Sequence, residues 1–438
     1  MLKLGKLISA LVRFFFLYLV RESAFEFPMK KILLLFSIFL STTIFGQQRS
    51  LDFFMKEALQ NSPYAIENKN QQLATKFDSL QIRAGLKPQV NFDNNNIYAP
   101  LINGIGYDKI ITNGGSVSAV VGTNILISGK QNLNNQFENI QLRKGTLEIA
   151  GKLSEKELRK NITHLYILAY TEQEIINNSK DVFGVLKKEN DLLKKLTEDG
   201  NYRQTDYLTF FINYKQQQLT IDQLELQLKN DYAILNYSCG IIDTTLLLLV
   251  NPELSRADFV SAENSIAGKQ FFNDSLIFKN QYEQVKFNYR PHFNLFGDAG
   301  YVSTLSYQAE KNFGVSAGFH IAVPIYDGKL KDLKFGRLKL TENTRMNYVA
   351  LYRKQYTQSV LRIIQQLNAI DDLIVENKNQ YLLSESLVNA NKKLLITGDV
   401  RMSEYILALT NYLYARSNAI QLLGSKMELV NEFNYLNY

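Results

Sequence analysis

Apolar and polar residues alternate strictly along two stretches of the chain. Phe313, Val315, Ala317, Phe319, Ile321, Val323 and Ile325 fall on one face of an extended segment, with Gly314, Ser316, Gly318, His320 and Ala322 on the other. Val117, Ala119, Val121, Thr123, Ile125 and Ile127 alternate in the same way with Ser116, Ser118, Gly122 and Asn124. A period of two is the signature of a strand with two unlike faces. A partner segment precedes each stretch; in the later one Phe293, Leu295 and Tyr301 oppose His292, Asn294 and Asp298. The pattern predicts four strands, at about 88–98, 115–127, 291–303 and 313–325, of roughly ten residues or more.

A longer period governs most of the remainder. No proline occurs between Pro100 and Pro252 or after Pro324, and proline is the residue a helix interior accommodates least. Residues 130–198 and 330–397 are each expected to form one helix of about 100 Å at ~1.5 Å per residue, with a bend near Gly145 and Gly151 in the first. The returning segments carry heptads: Tyr207, Tyr214, Ile221, Leu228 and Leu235 in one, and Ile406, Leu413, Ile420 and Met427 in the other. Leu409, Leu423 and Val430 sit three positions on in the second, so both returning segments present a coiled-coil-like seam.

These features occur twice, at an offset near 200. Lys87-Pro88-Gln89-Val90-Asn91-Phe92 matches Arg290-Pro291-His292-Phe293-Asn294-Leu295, and Ile127-Ser128-Gly129-Lys130 matches Ile325-Tyr326-Asp327-Gly328-Lys329. Gly200 and Gly398 are each followed six positions later by an acid, Asp206 and Glu404. The chain therefore reads as an internal duplication: a first repeat over 47–240, an inter-repeat segment over 241–275 and a second repeat over 276–438. Each repeat runs helix, two strands, long helix, turn and returning helix, and the opening helix of the second is expected to be the shorter.

The formal charge of +7 would suggest a polyanion partner if it were spread over the chain. Residues 1–46 alone carry Lys3, Lys6, Arg13, Arg21, Lys30 and Lys31 against Glu22 and Glu26, so most of the excess belongs to the start of the chain and nucleic acid is not expected. Met29-Lys30-Lys31, the apolar run Ile32–Leu40 and the small-residue exit to Gly46 have the outline of a secretory signal peptide. Residues 1–28 then read as upstream sequence with the start at Met29; a signal anchor is the rival reading. Beyond residue 46 no apolar run approaches the ~20 residues of a spanning helix.

Candidate chemistry is sparse. Cys239 is the single cysteine and is expected to be a small buried side chain. His164, His292 and His320 are too scattered in sequence for a metal cluster, and a lone His320 on the polar side of a strand is no metal site. Gly122 and Gly129-Lys130 mimic a phosphate loop, but the glycine spacing is too long and Gln131 stands where a hydroxyl is required. No catalytic residue, cofactor or metal is expected, and the chain is not read as an enzyme.

A ten-residue strand with one apolar and one polar face also suits a β-strand crossing a bilayer with water on its inner side. Four strands cannot close a barrel, and lipid tolerates no open sheet edge. Strands of this kind require two, three or four copies; residue patterns alone do not choose the number. The alternative is a non-channel periplasmic coiled-coil protein, structural or adhesive, whose strands form a soluble domain.

In their order, twice over, these motifs resemble the TolC family of outer-membrane efflux proteins. The resemblance rests on Asn61-Ser62-Pro63 opening the first helix, the helix-to-strand joints at Pro88 and Pro291, the strand exit Val323-Pro324-Ile325-Tyr326-Asp327-Gly328 and the paired glycine turns, and covers about residues 50–437. It implies a mixed α+β membrane fold: a homotrimer whose twelve-stranded outer-membrane β-barrel, four strands per chain, continues as a long α-helical barrel into the periplasm. Residues 241–275 would lie in a belt around that barrel. The implied role is the passive exit duct of a tripartite efflux or type I secretion system, with a periplasmic adaptor (membrane fusion) protein and an inner-membrane transporter as partners.

The resemblance also assigns sites. Gly200, Asn201 and Tyr202, and Gly398, Asp399, Val400 and Arg401, are the helical tips expected to dock the adaptor. Glu404, and from the first copy Asp206, are the tunnel-entrance acids. A plain structural reading competes, since acids near a helix start complement its dipole, and for Asp206 that reading is favoured. Where a second entrance acid would follow Glu404 the chain has Leu407. Pro88, Pro291, Pro324 and Gly328 are expected at helix-strand junctions, where a missing N–H is tolerable.

Overall fold

The computed structural model describes residues 49–100, 102–108, 114–200, 202–243, 245–305 and 308–437. The chain divides into two units, Met1–Arg49 and Ser50–Tyr438, and the fold is that of the second; the expected leader over 1–46 lies outside the described residues. Two short helices open the unit. Helix α1 is Leu51–Asn61, capped by Ser50, whose Oγ accepts from the Phe53 N–H, and α2 is Pro63–Gly85 with its proline in the first turn. Pro63 thus opens the second helix, not the first.

Strands β1 (Gln89–Tyr98) and β2 (Gly115–Ile127) follow, then the long helix α3 (Lys130–Glu198) and the returning helix α4 (Gln204–Ser238). The second half repeats this order with α5 (Ile266–Asn288), β3 (His292–Ser303), β4 (Phe313–Ala322), α6 (Leu330–Thr397) and α7 (Met402–Asn437). Two boundaries depart from expectation. Helix α5 starts at Ile266 rather than near 276 and matches α2 at 23 residues, so the second opening helix is not the shorter. Its signal is Ser265, whose Oγ accepts from the Gly268 N–H at 3.0 Å. Strand β4 stops at Ala322, opposite the first residue of β3, His292; beyond it lie Pro291 on one strand and, after Val323, Pro324 on the other, neither with an N–H to donate.

The four strands form one antiparallel sheet in the order β1-β2-β3-β4, so the two repeats join through β2 and β3, and β1 and β4 are its edges. Helices α3 and α6, of 69 and 68 residues, leave the same end of the sheet. Helix α3 runs unbroken through Gly145 and Gly151, where the absent Cβ atoms leave room for Asn273 and Asn68. No helix among the described residues is long and apolar enough to cross a membrane.

Three buried clusters hold the helices together. Phe54 of α1 meets Tyr166 of α3 and Tyr232 of α4, with Ile162, Leu235 and Cys239 around them; burial, then the Glu57 charge, pushes the Cys239 thiol up to about 12, so it is a structural side chain. Tyr356, Val360, Ile363 and Leu367 of α6 pack on Val430 and Phe433 of α7. The third cluster lies at the helical tips.

The connection between the repeats is strapped to the helices by side chains that stand in for a neighbouring strand. Gln173 Nε2 donates to the Leu249 carbonyl at 3.0 Å and its Oε1 accepts the Leu249 N–H at 2.8 Å. The Tyr166 hydroxyl donates to the Val250 carbonyl and accepts its N–H. Asn434 holds Ser255 and Ala257 in the same two-handed way, and Asn437 accepts from the Val260 N–H. Main-chain groups of the connection, that of the buried Leu249 among them, are thereby paired without a sheet.

Candidate functional site

Pairing register assigns every strand residue to a face. One face carries the rows Phe293–Ile321, Ile125–Leu295–Phe319, Val90–Thr123–Gly297–Ala317 and Phe92–Val121–Ala299–Val315. It is almost wholly apolar, and within the single chain it is open: Phe92 is 65% exposed, Val315 83% and Phe319 65%. Asn94 and Asn96 interrupt it only toward the end of β1 farther from the helices. The opposite face is mixed: it carries Gln89, Asn91, Asp93, Asn124, Asn294, Asp298, Ser316 and His320 together with Ile97, Val120, Leu126, Phe296 and Val302, and the Ser316 hydroxyl donates to Asp298 Oδ2 at 2.7 Å. The outer edges of β1 and β4 have no strand partner among the described residues.

The helix-strand junctions lie outside regular structure. Pro88 and Pro291 each stand immediately before a strand, and Pro324 follows β4. Gly328 and Lys329 both take positive φ, 65° and 70°, to turn the chain into α6, and Asp327 Oδ2 accepts the Lys331 N–H at 2.7 Å. Glycine at 328 answers the backbone requirement directly.

At the far end of the helices, Gly398 takes φ 80° and makes the two hydrogen bonds of a Schellman turn: Gly398 N–H to the Leu395 carbonyl at 3.2 Å and Asp399 N–H to the Leu394 carbonyl at 2.9 Å. Gly200 takes φ 72° and donates to the Thr197 carbonyl. Asn201 lies outside the described residues. Gly200, Gly398, Asp399 and Arg401 are exposed, whereas Tyr202 and Val400 are half-buried.

The two tips are not separate. Met402 and Tyr405 of α7 are buried against Val182, Leu186 and Leu193 of α3 and Phe210 of α4, with Tyr202, Tyr207 and Leu395 around them. The Tyr405 hydroxyl is buried without a hydrogen-bond partner, and burial, reinforced by Glu189, pushes it up to about 12. Glu189 is held by Lys392 Nζ at 2.8 Å. Sequence reading did not single out Met402 and Tyr405; the only signal was an apolar residue three positions after another just past a turn. Glu404 points away from this cluster and is exposed, its carbonyl accepting from Asn391 Nδ2. Asp206 is half-buried beside Tyr202, whose hydroxyl is pushed up first by burial and then by that carboxylate. Both acids occupy the first turn of their helices, where they complement the helix dipole. Among the described residues no group of three or more His, Cys, Asp or Glu is placed to hold a metal ion.

No protein-family model and no curated protein matches the chain. Solved structures do. The outer membrane protein VceC from Vibrio cholerae superimposes with a TM-score of 0.69 at 11% identity, over 88% of this chain and 96% of its own. CusC, which forms a transmembrane channel, gives a TM-score of 0.70 at 13% identity, over 90% and 93%. The Campylobacter jejuni CmeC outer membrane channel gives 0.69 at 11%, over 88% and 85%. The likeness spans nearly the whole of each chain. The fold is that of the TolC-like outer-membrane channels: a four-stranded portion of a barrel joined to long paired helices.

Proposed function

We propose that the protein is the outer-membrane exit duct of an export system, three copies closing a twelve-stranded barrel and a helical tunnel beneath it. One observation carries this reading: a sheet with two unpaired edges and an open apolar face. Each unpaired N–H or C=O in hydrocarbon costs several kcal/mol, so strands that meet lipid must close into a ring with strands from other copies. The polar face then lines water. The helices make a parallel demand, since Ile212, Leu219 and Leu226 form an exposed heptad stripe on α4 that the chain itself does not cover. Likeness to proteins described as outer-membrane channels supports the same assignment.

In this reading the chain is a passive conduit in the outer membrane with its helices in the periplasm. The tips around Gly200 and Gly398 dock a periplasmic adaptor, an inner-membrane transporter supplies the energy, and Glu404 lines the entrance. Expression in a Gram-negative cell, membrane fractionation and light scattering in detergent test it. The expected result is an outer-membrane species of three chains that conducts in planar bilayers. A soluble monomer without pore activity would establish instead the periplasmic coiled-coil alternative.

A further inference from the structure

The seam between the two repeats is built inside one chain, where β2 pairs with β3 and α3 packs on α5. Asn280 of α5 sits between Asn135 and Asn139 of α3, donating from Nδ2 to the Asn135 carbonyl at 2.9 Å and accepting from Asn139 Nδ2 at 3.0 Å. About two turns away, Asn273 Nδ2 donates to the Leu142 carbonyl at 3.1 Å and to Thr146 Oγ1 at 2.9 Å. The outer flanks of the repeats end instead at the strand edges β1 and β4, which α2 leads into and α6 leads out of.

The duplication transfers this seam to those flanks. From Pro88 to Pro291, and from the start of α2 to that of α5, the offset is 203 positions; from Ile127 to Ile325, on the way into the long helices, it is 198. The second offset keeps helix faces in step: Phe137, under Arg83 of α2, maps to Phe335, against Tyr282 of α5. Asn280 and Asn273 then correspond to Phe77 and Asn70 of α2, and Asn135, Asn139, Leu142 and Thr146 to Leu333, Arg337, Leu340 and Thr344 of α6. All six counterparts are exposed. Thr344 donates to the Leu340 carbonyl at 3.0 Å as Thr146 does to that of Leu142 at 3.2 Å, so its oxygen is likewise set to accept. Leu73 and Leu80, beside Phe77 on α2, are exposed as well.

We propose that α2 of one copy packs antiparallel on α6 of the next, repeating between chains the seam that α3 and α5 form within one. Asn70 Nδ2 donates to the neighbouring copy's Leu340 carbonyl and Thr344 Oγ1, and Phe77 seats between its Leu333 and Arg337. The inference rests on the exit-duct reading, in which β4 of one copy pairs with β1 of the next and carries α6 alongside α2. The occupant is a second copy because the two halves of the transferred seam lie on opposite flanks of this same chain. A patch that meets a different patch leads from copy to copy, as a closed ring requires. The asparagine fixes the register, since a slip would leave its amide among leucines without a partner.

Disulfide trapping tests the pairing, since Cys239 is buried and leaves introduced thiols to report alone. In membranes of cells expressing the full-length chain, copper-phenanthroline oxidation of Asn70→Cys/Thr344→Cys is expected to give linked dimers and trimers on non-reducing gels, while either single variant stays unlinked. Asn70→Cys/Met346→Cys is expected to stay unlinked as well, because Met346, exposed and two positions on from Thr344, lies on the far side of α6. Three chains by light scattering in detergent, without linkage of Asn70→Cys/Thr344→Cys, overturns the pairing and leaves the exit duct standing. Linkage of Asn70→Cys alone sets two α2 helices against each other and also overturns it. A single chain in detergent counts against the exit duct itself and removes the pairing with it.

Discussion

Phe54 in the helical part and Phe92 in the sheet are the same residue type under opposite conditions. Phe54 is fully enclosed by Tyr166 and Tyr232 of its own chain, whereas Phe92 stands 65% exposed in a row of apolar neighbours. The helices bury part of their apolar surface internally in three clusters, while the Ile212, Leu219 and Leu226 stripe of α4 stays uncovered. The sheet satisfies its hydrogen bonds internally but leaves its apolar face to the surroundings. The helical part therefore has buried cores of its own, whereas the sheet contributes to none of them; in the exit-duct reading, lipid and sister chains complete it.

This contrast can be broken at graded cost. Phe54→Ala removes the ring at the centre of a closed cluster and is expected to destabilise the helical part by about 3–5 kcal/mol, read as a lowered thermal midpoint in circular dichroism. Val315→Arg acts on the other half. At the bilayer midplane it is expected to cost about 2–4 kcal/mol per copy, with loss of outer-membrane insertion while helical content persists in detergent. If Val315→Arg melted the helices, or Phe54→Ala spared them and abolished insertion, the division of labour would be wrong.

A third test concerns pH and the helices alone. Glu172 of α3 faces Asp231 of α4, which is buried and accepts from Gln227 and Asn230. Burial first, then the Asp231 charge, raises the Glu172 carboxyl from 4.5 to about 7. Its protonated form is thus favoured more in the folded than in the unfolded chain. The associated stability is present in full below pH 4.5, is lost as pH rises toward about 7, and changes no further above. Thermal melts across this range are expected to show the decline in the wild type and a flatter profile in Glu172→Gln, with the variant the more stable at alkaline pH. The smallest effect is expected at the tip: Glu404→Ala should modestly reduce cation preference in reversal-potential measurements, because one exposed acid per chain, with Leu407 following, makes a single ring. Unchanged selectivity would leave Glu404 with its helix-start role only.

The fold class was legible because both halves obey strong periodicities. Alternation over 115–127 and most of 313–325 marks strands, and the absence of proline over the long segments, with heptads in the returning ones, permits long helices. What escaped were features set by one residue's local role or by distant partners. Helix α1 sits before Pro63, which by itself looks like a beginning. The start of α5 hung on the Ser265 cap, a common residue type without a periodic signal. At the tips, the glycines were visible because positive φ restricts the choice of residue, but the burial of Tyr405 depends on α3 and α4, more than 160 positions away.

The straps on the inter-repeat connection carry a last implication. Gln173, Tyr166, Asn434 and Asn437 grip main-chain atoms of Leu249, Val250, Ser255, Ala257 and Val260, not their side chains. Substitutions other than proline along 249–260 leave these main-chain donors and acceptors in place, while deletion of one residue carries the amides past their holders. Apart from packed side chains such as Leu249 and Leu254, that stretch is held by its length more than by its spelling, and it works as a fixed-length gauge between the two halves of a doubled chain.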